Sequence, residues 1–126
     1  MYETSPVHDD IRSAVRALCS RFPDEYWAEH DERHEFPGEF FQAVAEGGWL
    51  GLTIPEQYGG GGLGVTEAAI VEREIAASGA GMGGCSAVHI GIFGFEPILH
   101  HGSEELKRRF LPRVPAGDLQ ISFAVT

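Results

Sequence analysis

The sequence predicts a mainly α-helical fold that ends in a single β-strand. Three observations carry that prediction. Val7, Ile11, Val15, Leu18 and Phe22 recur at helical spacing, as do Ile70, Val71 and Ile75 further on. Helix-start signals stand in front of several such runs, with Ser5 before Pro6, Thr66 before Ile70, and Ser103 before two glutamates. Then the period changes: in "LQISFAVT", Leu119, Ile121, Phe123 and Val125 alternate with polar or small residues.

The elements follow in order. Ser5-Pro6 starts a first helix that runs to about Phe22, where Pro23 and Asp24 break it. Residues 24–35 carry six acids and only Tyr26 and Trp27 as large apolar groups, which reads as a shallow helix or connector with its charged face in water. Pro37 opens a short helix holding Phe40, Phe41 and Val44, and Gly47-Gly48 ends it. Thr66 is placed to cap the next helix, with Val65 and Ile70 as a hydrophobic staple, and this helix ends at Ser78-Gly79. The segment "MGGCSAVHIGIFGF", residues 82–95, is apolar and almost uncharged, so a buried helix is expected. Pro97 starts a short helix. In the Ser103-capped helix, Leu106 and Phe110 should face inward, and Glu104 with Arg108 and Glu105 with Arg109 form favourable i,i+4 pairs.

A lone strand leaves two unpaired edges, and no earlier segment offers it a partner. The expected organisation is therefore an all-helical domain over residues 1–117, with residues 118–126 as the first strand of a β domain that this chain does not contain.

Nine Lys and Arg against nineteen Asp and Glu give a net charge of −10, which disfavours a nucleic-acid partner. Cys19 and Cys85 stand far apart with no metal spacing, and the sequence shows neither a signal peptide nor an apolar run that reads as a membrane span. A cytoplasmic protein with reduced thiols is expected.

Two motifs point toward specific chemistry and fall short of it. The run Gly59-Gly60-Gly61-Gly62-Leu63-Gly64 fits the G-x-G-x-x-G pattern, but Pro55 to Tyr58 before it is a turn sequence, and no second strand follows the helix after it. A tight loop explains the glycines better than a phosphate cradle. His30 and His34 sit at i,i+4 around Asp31, Glu32 and Arg33, yet the glutamate that a zinc-protease helix carries after its first histidine is absent, and no third ligand is apparent. No metal is expected.

The order and separation of "GWLGLTIPEQYGGGGLG", "EREIA", "SAVHIG" and "HHGSEELKRRFLPRVPAGDLQISFAVT" resemble the N-terminal helical domain of the acyl-CoA dehydrogenase family, over nearly the whole chain. The resemblance implies a three-part enzyme, with a helical domain, a small β domain and a C-terminal helical bundle, assembled as a homo-oligomer. It implies FAD as cofactor, an acyl-CoA thioester as substrate and an electron-accepting flavoprotein as partner. In this family a carboxylate takes the α proton while the β carbon delivers hydride to the flavin, and that carboxylate lies in the C-terminal part, so no catalytic residue is assigned here. By position, Phe123, Val125 and Thr126 would meet the flavin ring. Ser86, His89, Ile90 and Phe93 would line the acyl pocket. Two other readings share these residues: a same-fold flavin oxidase or monooxygenase, and a non-catalytic truncated paralogue acting as a helical interaction module.

Overall fold

A computed structural model describes residues 5–126. Seven α-helices are present among them: α1 (Pro6–Cys19), α2 (Asp24–Arg33), α3 (Gly38–Glu46), α4 (Val65–Ile75), α5 (Gly81–Phe93), α6 (Glu96–His101) and α7 (Glu104–Phe110). Helix α4 is the centre of the packing, with α1 against one side and α5 against another. Ile11, Val15 and Cys19 of α1, Phe40 and Val44 of α3, Ala68, Val71 and Ile75 of α4, and Val88 and Ile92 of α5 share one core. A second core gathers Ile54, Tyr58, Phe95, Leu111 and Val114 at the other end.

Ser5 caps α1 as expected, its hydroxyl accepting the His8 amide at 3.3 Å. The helix stops at Cys19, three residues short of the expected end, and Val7 is exposed. Phe22 is buried from the turn beyond the helix, where its ring meets Tyr26 and Phe40 edge-on at 5.0 and 5.3 Å. These aromatic contacts anchor α2, which buries no residue fully and keeps its acids in water.

The cap of α4 differs from the expectation. Gly64 occupies the N-cap, and the Glu67 carboxylate accepts its amide at 2.9 Å while also bonding His8 Nε2 at 2.7 Å. Thr66 lies inside the first turn and Val65 is exposed, so no Val65–Ile70 staple forms. Hydrogen bonding from His8 holds the Glu67 carboxyl below its usual range.

Residues 65–101 would be long and apolar enough to cross a membrane as one helix. They are not one helix: a wide turn at Ala76–Ala80 carries Gly79 at φ +97°, where only glycine sits without strain, and the chain turns back into α5. Helix α5 buries one face, Gly84, Val88 and Ile92, and leaves Met82, Ser86 and His89 exposed. It is thus half-covered where a buried helix was expected.

Ser103 caps α7 through its hydroxyl and the Leu106 amide, at 3.3 Å. Leu106 is exposed, however, and Glu104 pairs with Lys107 at 3.7 Å and accepts from the Tyr58 hydroxyl at 3.1 Å in place of the expected Arg108 pairing. Residues 118–126 form no helix and enter no strand ladder among the described residues. Leu119 and Ile121 of this segment pack on the second core, whereas Phe123 and Val125 are exposed.

Candidate functional site

The glycine run is a closed loop. The amides of Gly59, Gly60, Gly61, Gly62 and Leu63 donate to the carbonyls of Glu56, Pro55, Gly51, Ile54 and Leu52, at 2.9 to 3.2 Å. Every one of those donors is spent within the chain, so none is left to cradle a phosphate. The two histidines of α2 are also occupied otherwise. His30 Nδ1 lies 2.8 Å from the Tyr26 carbonyl, and His34 ends the helix in a left-handed conformation. No group of three or more potential metal ligands occurs among the described residues.

The exposed face of α5 presents a concave surface. Ser86, His89 and Ile90, together with Met82 and Cys85, line a cleft of about 330 Å³. The side chains converge because positions 82, 86, 89 and 90 fall on one stripe of a helix. Ser86 and Ile90 also border a smaller cavity of about 110 Å³, closed by Phe41, Leu50, Leu119 and Ile121. Phe93 stands apart from this group. Its ring touches that of His89, with centroids 5.1 Å apart, but it lines a separate cleft with Thr53, Leu63 and Leu99. Three of the four expected wall residues therefore share a site, and the fourth marks its border.

Met82, Cys85 and Glu72 were not singled out from sequence. The first two lie one turn before Ser86 and His89, so helical spacing alone points to them. Glu72 lies on α4 behind the cleft, its carboxylate 4.0 Å from His89 Nδ1. Burial raises its pKa. The same burial, with Glu72 next in importance, pushes the Cys85 thiol up to about 12. The thiolate is the reactive form, so Cys85 should be alkylated by iodoacetamide at about pH 8 roughly a thousandfold more slowly than an unperturbed thiol. The rate should climb with pH until the thiol ionises. Mass spectrometry of the native and urea-unfolded chain measures it, and equal rates in the two would contradict this assignment.

Phe123, Val125 and Thr126 lie outside the α5 cleft and are exposed. No backbone amide from residue 118 onward donates to another backbone group among the described residues. The segment's unpaired amides can donate and its unpaired carbonyls can accept, the two kinds of partner that the edge of a flavin ring bonds, while the Asp118 carbonyl already accepts from Arg113 Nη2 at 3.3 Å. Residues enclosing the rest of a flavin are not among those described.

What stands here is an all-helical unit with a ligand-sized, largely apolar cleft along one helix and an unpaired extended segment at its end. The family model for the acyl-CoA dehydrogenase N-terminal domain matches residues 5–118, and the chain belongs to the acyl-CoA dehydrogenase family. It is 34% identical over 130 aligned positions to acyl-CoA dehydrogenase FadE12 of Mycobacterium tuberculosis, covering all of this chain and 33% of that protein. It is 35% identical over 127 positions to probable acyl-CoA dehydrogenase FadE25 of the same species, covering all of this chain and 32% of that one. With an acyl-CoA dehydrogenase of Bacillus subtilis it shares 34% identity over 96 positions, 76% of this chain and 25% of the relative. The chain thus spans about a third of the length of the first two relatives.

Proposed function

We propose that these residues form the helical, substrate-facing part of a flavin-dependent acyl-CoA dehydrogenase, with residues 118–126 leading into its β domain as a first strand. The observation that carries this reading is the α5 cleft, in which Met82 and Ile90 supply apolar wall and Ser86 and His89 supply polar groups, beside a terminal segment with unspent backbone groups. FAD, when bound, supplies the hydride acceptor for α,β-dehydrogenation of the thioester. The chain's own contribution is placement. Met82 and Ile90 hold the acyl chain and exclude water from it, because desolvating methylene groups is favourable at about 0.8 kcal/mol each. Phe123, Val125 and Thr126 meet the flavin edge, with the Thr126 hydroxyl or amide bonding a ring heteroatom. The α-proton acceptor is a carboxylate outside this chain. An acyl-CoA substrate, an electron-accepting flavoprotein, homo-oligomeric assembly and a cytoplasmic location complete the reading.

Two measurements test it. The 126-residue chain, incubated with FAD and desalted, should retain no stoichiometric flavin band, because the other walls of the flavin site lie elsewhere. A full-length protein carrying these residues should hold FAD and lose its flavin absorbance when an acyl-CoA is added. Retention of one flavin by the isolated chain would refute the division of the site. Failure of every acyl thioester to bleach the full-length flavoprotein would refute the activity.

A further inference from the structure

Behind the α5 cleft a carboxyl oxygen is left without a partner. Glu72 Oε1 is out of contact with solvent and has no hydrogen bond, with His89 Nδ1 just beyond bonding distance at 4.0 Å. The Cys85 thiol lies close to the Glu72 carboxyl but gives its single proton to the Glu72 main-chain carbonyl at 3.5 Å. A desolvated acceptor without a donor destabilises a fold, so its persistence calls for a donor that arrives. The His89 side chain is 59% exposed and makes no hydrogen bond within the described residues, so it can turn toward Glu72 at little cost. The Ser86 hydroxyl, one turn earlier on the same face, is exposed and equally uncommitted among the described residues.

The chemistry of such a turn is determined. A carboxylate only accepts, so the His89 nitrogen facing Glu72 must carry the proton, and the other nitrogen then offers a lone pair to the cleft. We infer that the acyl chain taken up on this face bears a hydroxyl group, which donates to His89 Nε2 and accepts from the Ser86 hydroxyl while Glu72 holds His89 through Nδ1. His89 and Ser86 are then specificity-determining residues, and Glu72 is a positioning residue acting through His89. A plain alkyl chain leaves the imidazole lone pair unpaired. A keto group cannot donate to that lone pair, and a carboxylate is repelled by both the lone pair and Glu72. This inference rests on the reading of the cleft as an acyl site.

The test is a nuclear magnetic resonance titration of the chain with hexanoyl-pantetheine and with its monohydroxy isomers. Both kinds of probe should move the methyl signals of Met82 and Ile90. At least one hydroxylated isomer should bind about tenfold more tightly than the plain probe, the net gain from its hydrogen bonds to His89 and Ser86, and should place the His89 proton on Nδ1. Glu72→Met should remove both the preference and the Nδ1–H tautomer while the methyl shifts remain. His89→Leu, a change on an exposed position that folding tolerates, should remove the preference as well. Equal binding of plain and hydroxylated probes, or a preference that survives Glu72→Met, overturns the inference and leaves the acyl cleft standing. If no probe moves Met82 or Ile90, the acyl-site reading fails and the inference with it.

Discussion

Replacing Gly60 by alanine is expected to cost about 3 kcal/mol, near the upper end of overpacking effects. A Cβ at this position would collide with the carbonyl oxygen and Cβ of Ile54 and lie 2.6 Å from the Gly51 carbonyl. The atoms in the way are mostly main chain, and they cannot swing aside as the end of a long side chain can. Those same carbonyls accept the amides of Gly61 and Gly62 at 2.9 Å, so displacing them also breaks the hydrogen bonds that close the loop. Ile54 belongs to the second core, which carries the disturbance inward. Gly59→Ala is the control, since it meets nothing within 4 Å and suffers only from its φ of +84°. Its expected cost is about 1 to 2 kcal/mol. Urea denaturation of the two variants separates steric exclusion from backbone strain, and equal costs would show that close approach is not what Gly60 supplies.

The second large effect is expected at Glu74, the only charged residue fully buried among those described. Its carboxylate accepts from Arg16 Nε at 2.7 Å and Nη2 at 3.3 Å, with Arg12 Nε at 3.9 Å, which ties α4 to α1. Glu74→Ala removes the acceptor of Arg16 and opens an apolar gap beside Arg12, which is 16% exposed and keeps its 2.8 Å bond to Asp9. Breaking a buried pair from one side typically costs 3 to 5 kcal/mol, and about 3 is expected because Arg16 is 65% exposed and can return to water. Arg16→Met should cost at least as much as Glu74→Ala, because it leaves the buried carboxylate without its two hydrogen bonds and with only Arg12 nearby, at 3.9 Å. Thermal unfolding measures both, and a much smaller loss from the arginine change would reverse this account of the pair.

Most helices were readable because their signals are local. Ser5 and Ser103 cap by side-chain oxygens three residues from the amides they accept, and the α1 and α4 cores repeat every three or four positions. Errors arose where an element's fate depends on a distant residue. Thr66 has the chemistry of a cap, but Glu67 is already held by His8, 59 residues away, and that fixes Gly64 as the cap. The composition of α5 is that of a buried helix, yet composition does not say which surfaces the rest of the chain supplies. That Ser86, His89 and Ile90 face one cleft was legible from their helical spacing. Glu72 was not, because an acid in a helix ordinarily faces water and only the approach of α5 shows otherwise.

One contact joins the two surfaces proposed for substrate and flavin. Ile121 lies so close over Gly94 that any side chain there would strike its methyl group, and the same space is bounded by Ile90. The absent side chain at position 94 therefore works as a spacer of zero thickness, setting how far the terminal segment stands off α5. Reaction rates fall steeply when reacting atoms are misplaced by about 1 Å. A single methyl group at position 94 would lift Ile121 and the residues that follow it, and in the proposed enzyme this would detune the hydride path from a place remote from any reacting atom.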